Sequence, residues 1–440
     1  MGSGFLGERL MVKRLNPLGL MMVATVVAFG TAGHAANRIN AGQIVIDTAL
    51  SAEDIESIRA QKRWPGIMVD LDKSAGLDAL ASLGKLPELR ALSLSARNED
   101  LTSFAELPEL PRLTVLRATS LKNSKKTPFS LKPLARYREL GSIYFFNTKV
   151  TDADALAACT QLREINFYMS EVDSIEFLRS TPWVTSLNLY GIQHTFTSYE
   201  PVATLKHLQE LNIYMNPQAS DASLAPLAQL TRLRSINLFG TKDVSSLNFL
   251  ANSHELEEVA ASRSVKLTDI GALADKTVLS KVDLRGVKID QIRALGDKPH
   301  LTHLNIGDTA VKDLAPLRTS PALQQLDLAD SAVVDLAPLA GLRRLESLDL
   351  SGTGVSDLRA LREVTSLKDL KLTNTPVADL TPLAGLDRLV ALALDRTQVK
   401  DLTPLHGLHN LRRLRVSKTI APAQIEALRD ALPLVDVTQI

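Results

Sequence analysis

The sequence predicts an α/β solenoid, with a parallel β-sheet lining a concave face and short helices covering a convex one. Three observations predict it. Leu301, Leu323, Leu345, Leu367, Leu389 and Leu411 recur every 22 residues, a period typical of stacked supersecondary units. Each opens the pattern L-x-x-L-x-L or a close variant, as in Leu345-Glu346-Ser347-Leu348-Asp349-Leu350, and alternation of period two marks a short strand with one buried face. A phrase of the type V-x-D-L-x-P-L then follows at a constant distance, as in Val311 to Leu317.

Within a unit, Leu348 and Leu350 point inward while Ser347, Asp349 and Ser351 point out. Val355, Leu358 and Leu361 return to the core. Asp357, like Asp313, Asp335, Asp379 and Asp401 in the same place, is positioned to accept backbone N–H bonds at the start of the convex helix. Pro316, Pro338, Pro382 and Pro404 follow three residues later, inside a first turn whose N–H groups have no helical partner. Thr309, Ser331, Thr353, Thr375, Thr397 and Thr419 occupy the turn after the strand, where a hydroxyl is expected to bond the neighbouring turn's backbone.

The same phase runs back through Leu279, Leu256, Leu233, Leu208, Val184, Leu162, Leu140, Leu113 and Leu89 at intervals of 22 to 27 residues. About sixteen units result if Gly66 to Leu71 is a degenerate first one. The Leu spacing, the period and the V-x-D-L-x-P-L-x-x-L phrase resemble the internalin-like class of leucine-rich repeats. The resemblance implies a curved leucine-rich-repeat horseshoe over residues 66–420 and leaves the ligand open, because such repeats serve many partners.

Both ends read as closed. Residues 36–65, with a strand at Ile44 to Ile46 and an N-capped helix from Ser51, form the expected N-terminal cap. Residues 421–440 form the C-terminal one, with an amphipathic helix over Pro422 to Leu432 and a strand over Leu434 to Val437. That closing segment is similar to end caps of leucine-rich proteins from Gram-negative bacteria. Residues 1–35 read as a secretory signal with an upstream extension. Lys13 and Arg14 are its basic region, Leu18 to Phe29 its apolar core, and Gly33-His34-Ala35 its cleavage site. The mature chain is then exported, periplasmic or extracellular, and not stably inserted in a membrane. Gly2 to Gly7 spells G-x-G-x-x-G but has no preceding strand, so it is no dinucleotide site.

Charge is balanced, with 50 Lys+Arg against 49 Asp+Glu, so no global field draws the protein to nucleic acid. No nucleophile, base and orienting group converge in the pattern, and neither His300 with His303 nor His406 with His409 has a third ligand in metal spacing. The one cysteine, Cys159, stands where other units place a core Leu. The chain therefore reads as a non-enzyme without cofactor or metal.

The informative feature is a stripe. The outward position after the last strand Leu reads Phe146, Tyr168, Tyr190, Tyr214 and Phe239 in successive units, and two residues earlier stand Tyr144, Asn166, Asn188, Asn212 and Asn237. Glu164 and Glu210 lie one outward position further back. With strands about 4.8 Å apart, five of them make a platform roughly 20 Å across. Fourteen of the 19 aromatic residues lie between Tyr137 and Phe249, and none beyond. The rings also have a structural reading, as stacks that stabilise the sheet, and the asparagines as an amide ladder. Contiguous exposed aromatic surface favours binding. Insertions at Lys122 to Ser130 and Gln193 to Tyr199 flank the platform. Lys281, Asp283 and Arg285 on one strand read as plain solvated surface or, alternatively, as an ion-pair rim to the aromatic patch, the later repeats as spacer, and Arg412, Arg413 and Arg415 as a solubilising spot.

The expected function is protein or peptide binding on the concave face by a monomer. A glycan is the alternative ligand, since rings beside amides also suit sugars, and a secreted effector acting on host proteins is a third reading.

Overall fold

The computed structural model describes residues 37–40, 43–46, 48–61, 66–70, 76–95, 104–119, 128–192 and 196–440. The leader and the insertion residues 122–127 and 193–195 lie outside the described residues. One compact unit ends at Leu233 and a second spans Arg234–Ile440.

The strands of the first unit are β1 (Arg38–Asn40), β2 (Gln43–Ile46), β3 (Ile67–Asp70), β4 (Ala91–Ser95), β5 (Val115–Thr119), β6 (Phe129–Ser130), β7 (Ser142–Phe146), β8 (Lys149–Thr151), β9 (Glu164–Tyr168), β10 (Glu171–Val172), β11 (Ser186–Asn188) and β12 (Glu210–Asn212). β2 to β5, β7, β9, β11 and β12 run parallel in the main sheet, with β1 antiparallel to β2, and β6, β8 and β10 make a small parallel sheet of their own. The register aligns the repeat: Leu116, Ile143, Ile165, Leu187 and Leu211 are partners across consecutive strands, and all five are buried. Repeating apolar residues in one register make a continuous core, each side chain contributing about 1.5–3 kcal/mol. Beside this Leu ladder runs a buried aromatic row, with Phe145 stacked on Phe167 at 5.7 Å and Phe177 edge-on to Phe167 at 6.2 Å.

α1 (Ala52–Arg59) precedes β3. Its N-cap, Ser51, accepts from the Asp54 N–H while the Asp54 side chain accepts from the Ser51 N–H, so two otherwise orphaned donors are satisfied reciprocally.

The second unit contains β13 (Ser235–Asn237), β14 (Glu258–Ala260), β15 (Lys281–Asp283), β16 (His303–Asn305), β17 (Gln325–Asp327), β18 (Ser347–Asp349), β19 (Asp369–Lys371), β20 (Ala391–Leu394), β21 (Arg413–Val416) and β22 (Asp436–Gln439). Each pairs in parallel with the next. Val355, Leu358 and Leu361 return to the core. The return segments are 3₁₀ turns, such as Ala337–Leu339 and Thr403–Leu405, because a 22-residue unit leaves room for only one tight turn between core contacts. Asp313, Asp335, Asp357, Asp379 and Asp401 each accept the N–H two residues on, at 2.8 or 2.9 Å, at the first residue of that turn. The prolines fall in the same first turn.

The threonines behave differently from expectation. Thr309, Thr353, Thr375 and Thr397 donate to the carbonyl three residues back in their own turn, at 2.6–2.7 Å. The chain reverses direction there, which brings its own carbonyl within reach. The last helix covers Pro422–Ala431 and buries Ile425 and Leu428. The final strand starts two residues later than the sequence pattern indicates, because pairing sets Val437 opposite Leu414 and leaves Leu434 exposed.

Both units place a left-handed residue straight after the outward position that ends a strand, at β7, β9 and β11 to β20. In the second unit, Gly240, Arg263, Gly286, Asp308, Asp330, Gly352, Asn374 and Arg396 hold φ between 54° and 73°. In the first, Asn147, Met169, Gly191 and Met215 hold φ between 50° and 62°.

Candidate functional site

The outward face of β7, β9, β11 and β12 carries three columns in strict register. Ser142, Glu164, Ser186 and Glu210 are partners in the first, Tyr144, Asn166, Asn188 and Asn212 in the second, and Phe146 aligns with Tyr168 at the head of the third. The third continues as ring contacts. Phe146 lies 5.5 Å from Tyr168, Tyr168 lies 4.4 Å from Tyr190, and Tyr190 lies 4.5 Å from Tyr214. All four rings are half-buried by one another, and such pairs contribute roughly 0.5–1.5 kcal/mol each beyond their area.

The asparagines do not form an amide ladder. Asn166, Asn188 and Asn212 each use Oδ1 to accept the backbone N–H of the tyrosine two residues on, at 3.1, 2.9 and 3.0 Å. The strand ends there, so this N–H loses its inter-strand acceptor and the short side chain replaces it. Asp327 and Asp349 do the same in the second unit, at 2.9 and 3.0 Å, which shows that the acceptor is the structural requirement. An amide in place of a carboxylate adds a donor. Among the described residues, no protein acceptor takes Nδ2 of Asn166, Asn188 or Asn212.

Tyr144 stands apart from the row. The Arg117 guanidinium lies 4.6 Å above its ring, and its hydroxyl donates to Glu164. Burial, and next the Glu164 carboxylate, push its phenol well above the usual range. Ser186 donates to Glu210 at 3.1 Å. Asn237 and Phe239 belong to the second unit. Asn237 is buried and accepts the Phe239 N–H at 3.0 Å, and Arg263 lies 5.7 Å over the Phe239 ring.

Sequence reasoning missed Met169 and Met215. They follow Tyr168 and Tyr214 directly, adopt φ of 52° and 50°, and expose 49% and 54% of their surface. A long apolar side chain in the left-handed region costs on the order of 1 kcal/mol and gains nothing from core burial here. Gly191 sits between them, and a Cβ there would lie 3.8 Å from the Met169 side chain. Nothing in the Leu period marks this position; the available signal was its alternation with Asn147, Gly191 and Gly240, residues that suit positive φ.

Lys281, Asp283 and Arg285 follow the ion-pair alternative and not the favoured reading as plain solvated surface. Lys281 pairs with Glu258 at 2.7 Å, Asp283 is 5% exposed and accepts from Ser262, and Arg285 reaches Asp327 at 3.6 Å and Asp330 at 3.3 Å. Arg285 crosses Gly307, where a Cβ would stand 2.7 Å from the guanidinium. Close spacing of parallel strands draws these charges together and out of water. Burial pushes the Asp283 carboxyl up, against opposing bonds from Ser262 and the Arg285 N–H. A raised folded-state value means that the group favours the folded state below its unfolded value, and that this contribution is lost as pH rises through the raised value. Asp283→Asn keeps the acceptor oxygen, so it is expected to raise Tm near pH 7 and to flatten the Tm profile above about pH 4. An unchanged profile would contradict this.

Cys159 is buried, with Sγ 3.5 Å from the Leu134 carbonyl, and burial pushes its thiol up to about 11. Thiol reagents at about pH 8 should label it only after denaturation, and rapid labelling of the native protein would contradict the assignment. Among the described residues, no group of His, Cys, Asp and Glu is arranged to hold a metal ion, and no helix is long and apolar enough to cross a membrane.

The repeat, the parallel sheets and the left-handed turns that close β7, β9 and β11 to β20 define a leucine-rich-repeat fold. No family model and no curated protein matches the sequence. Solved structures share the fold. An internalin from Listeria monocytogenes is 24% identical with a TM-score of 0.64, over 70% of this chain and 88% of that one. A leucine-rich-repeat protein of Leptospira interrogans is 19% identical with a TM-score of 0.66, over 82% and 98%. TLR13, solved with the single-stranded RNA ssRNA13, is 18% identical with a TM-score of 0.62, over 84% and 58%. At such identities the likeness is one of fold.

Proposed function

We propose that the chain is an exported, non-enzymatic scaffold that holds a protein or peptide on the outward, concave face of its sheet, at the row Phe146, Tyr168, Tyr190 and Tyr214. In this reading residues 1–35 are a removed leader, 36–65 and 421–440 are caps, and the protein acts as a monomer in the periplasm or outside the cell. The observation that carries it is the pair of exposed methionines held at positive φ beside a continuous ring row. Local strain and exposed apolar surface together favour a site that a partner covers. Met is also well suited to binding surfaces because it adapts to its contact.

The TLR13 complex holds RNA, but a net charge of +1 and the carboxylates Glu164 and Glu210 on this face oppose phosphate binding here. A pull-down with purified mature protein, run beside a glycan array, tests the reading. Capture of a protein that depends on the ring row supports it, and saturable sugar binding without protein capture overturns it. N-terminal sequencing of protein from separated cell fractions tests export, because an intact N-terminus in the cytoplasmic fraction contradicts the leader.

A further inference from the structure

Sulfur is unevenly placed in this chain. Four of its seven methionines, Met1, Met11, Met21 and Met22, precede residue 36, which leaves Met68, Met169 and Met215 beside the single Cys159. Cys159 is buried and Met68 half-buried, whereas Met169 and Met215 expose 49% and 54% of their surface. Among the described residues, the exposed sulfurs therefore both stand on the ring row, each directly after one of its tyrosines. Elsewhere the left-handed position that closes a strand holds Gly, Asn, Asp or Arg. Methionine usually fills gaps in a core, and here it has no core to fill. Gly191, in the unit between the two, adds no side chain of its own, and a Cβ there would stand against the Met169 Cγ at 3.8 Å. That flank of the Met169 thioether is left uncovered.

An exposed thioether reacts with peroxides. The sulfur lone pair attacks one peroxide oxygen, and an S–O bond forms as the O–O bond breaks. The departing hydroxide takes the proton from the new sulfoxide oxygen and leaves as water, so sulfur loses two electrons and the peroxide gains them. The sulfoxide is polar and chiral, and it no longer makes the adaptable apolar contact of the thioether. Methionine sulfoxide reductases reverse the step: two thiols become a disulfide and the oxygen leaves as water. The reversal needs the sulfoxide to be reached by a second protein, a condition that exposed turns meet and core positions do not. Cys159 does not compete for the oxidant, because its buried thiol stays protonated.

We propose that Met169 and Met215 form a reversible oxidation site, through which a peroxide turns the apolar border of the ring row polar. The two sulfurs occupy corresponding turns on either side of Tyr190, so oxidation changes the border of the row at both Tyr168 and Tyr214. The site itself stands on exposure and thioether chemistry. Its consequence for a partner rests on the protein-binding reading above: partner and oxidant compete for the same sulfurs, so a bound chain is shielded and a free chain is switched off.

Graded hydrogen peroxide on the folded full chain, read by peptide mass spectrometry, tests it. Met169 and Met215 are expected to gain one oxygen each at least about threefold faster than Met68. The oxidised protein is expected to elute earlier from a butyl hydrophobic-interaction column, with Tm unchanged. Methionine sulfoxide reductases of both epimer specificities, with dithiothreitol as the thiol, are expected to restore mass and retention without unfolding. In the double variant Met169→Leu, Met215→Leu the peroxide-dependent shift in retention is expected to vanish. Oxidation of Met68 as fast as the other two, a retention time that oxidation does not move, or repair that succeeds only after denaturation overturns the proposal. Protein capture by the reduced chain that survives full oxidation of both methionines overturns the switch and leaves the protein-binding reading standing. Selective, reversible oxidation in a chain that captures no protein supports the oxidation site and overturns the binding reading alone.

Discussion

Phe167→Ala is expected to lower the stability of the first unit by about 3–5 kcal/mol, the range for removing a large aromatic from a close-packed core. Phe167 has no exposed surface. Its ring bridges Phe145 at 5.7 Å and Phe177 at 6.2 Å, so truncation leaves a cavity bounded by two rings that belong to different repeats. The parallel strands on either side fix the backbone, which prevents collapse into the space. Chemical denaturation followed by far-UV circular dichroism reads the loss. A cost below about 1 kcal/mol would mean that the aromatic row does not hold the repeats together.

The second large effect concerns binding. Replacing Tyr168, Tyr190 and Tyr214 together by Ala is expected to weaken partner capture at least about a hundredfold, since central aromatic anchors each contribute around 2 kcal/mol or more. The triple variant also loses ring pairs at 4.4, 4.5 and 5.5 Å, so some loss of Tm accompanies it. The corresponding triple change to Phe separates the two effects, because it keeps the stack and removes only the hydroxyls. Capture that survives the Ala variant, or a stability loss that alone accounts for the binding loss, would make the row structural.

Much of the fold was legible because the Leu period reports burial directly. Leu348 and Leu350 point inward for the same reason that a period-two pattern exists. The convex aspartates were legible too, since a short side chain before a turn has few other acceptable uses. The site was legible only in part. Alignment of Tyr168, Tyr190 and Tyr214 followed from equal phase in each unit, but the role of the asparagines did not. Phase shows where Asn188 stands, whereas its bond to the Tyr190 N–H depends on where the strand loses its ladder. The methionines were hidden because their backbone conformation, and not their hydropathy, sets them apart. The Asp283 network was hidden because the distance that brings Arg285 over Gly307 to Asp327 spans two strands.

Hydroxyl-radical footprinting of the protein alone and with its captured partner tests whether the ring row and its methionines are the surface that the partner covers. Met and Tyr are the reactive groups in question, and Met68, half-buried on β3, is an internal control. The partner is expected to protect Met169, Met215, Tyr168, Tyr190 and Tyr214 and to leave Met68 unchanged. Unaltered oxidation of Met169 and Met215 in the complex would contradict it.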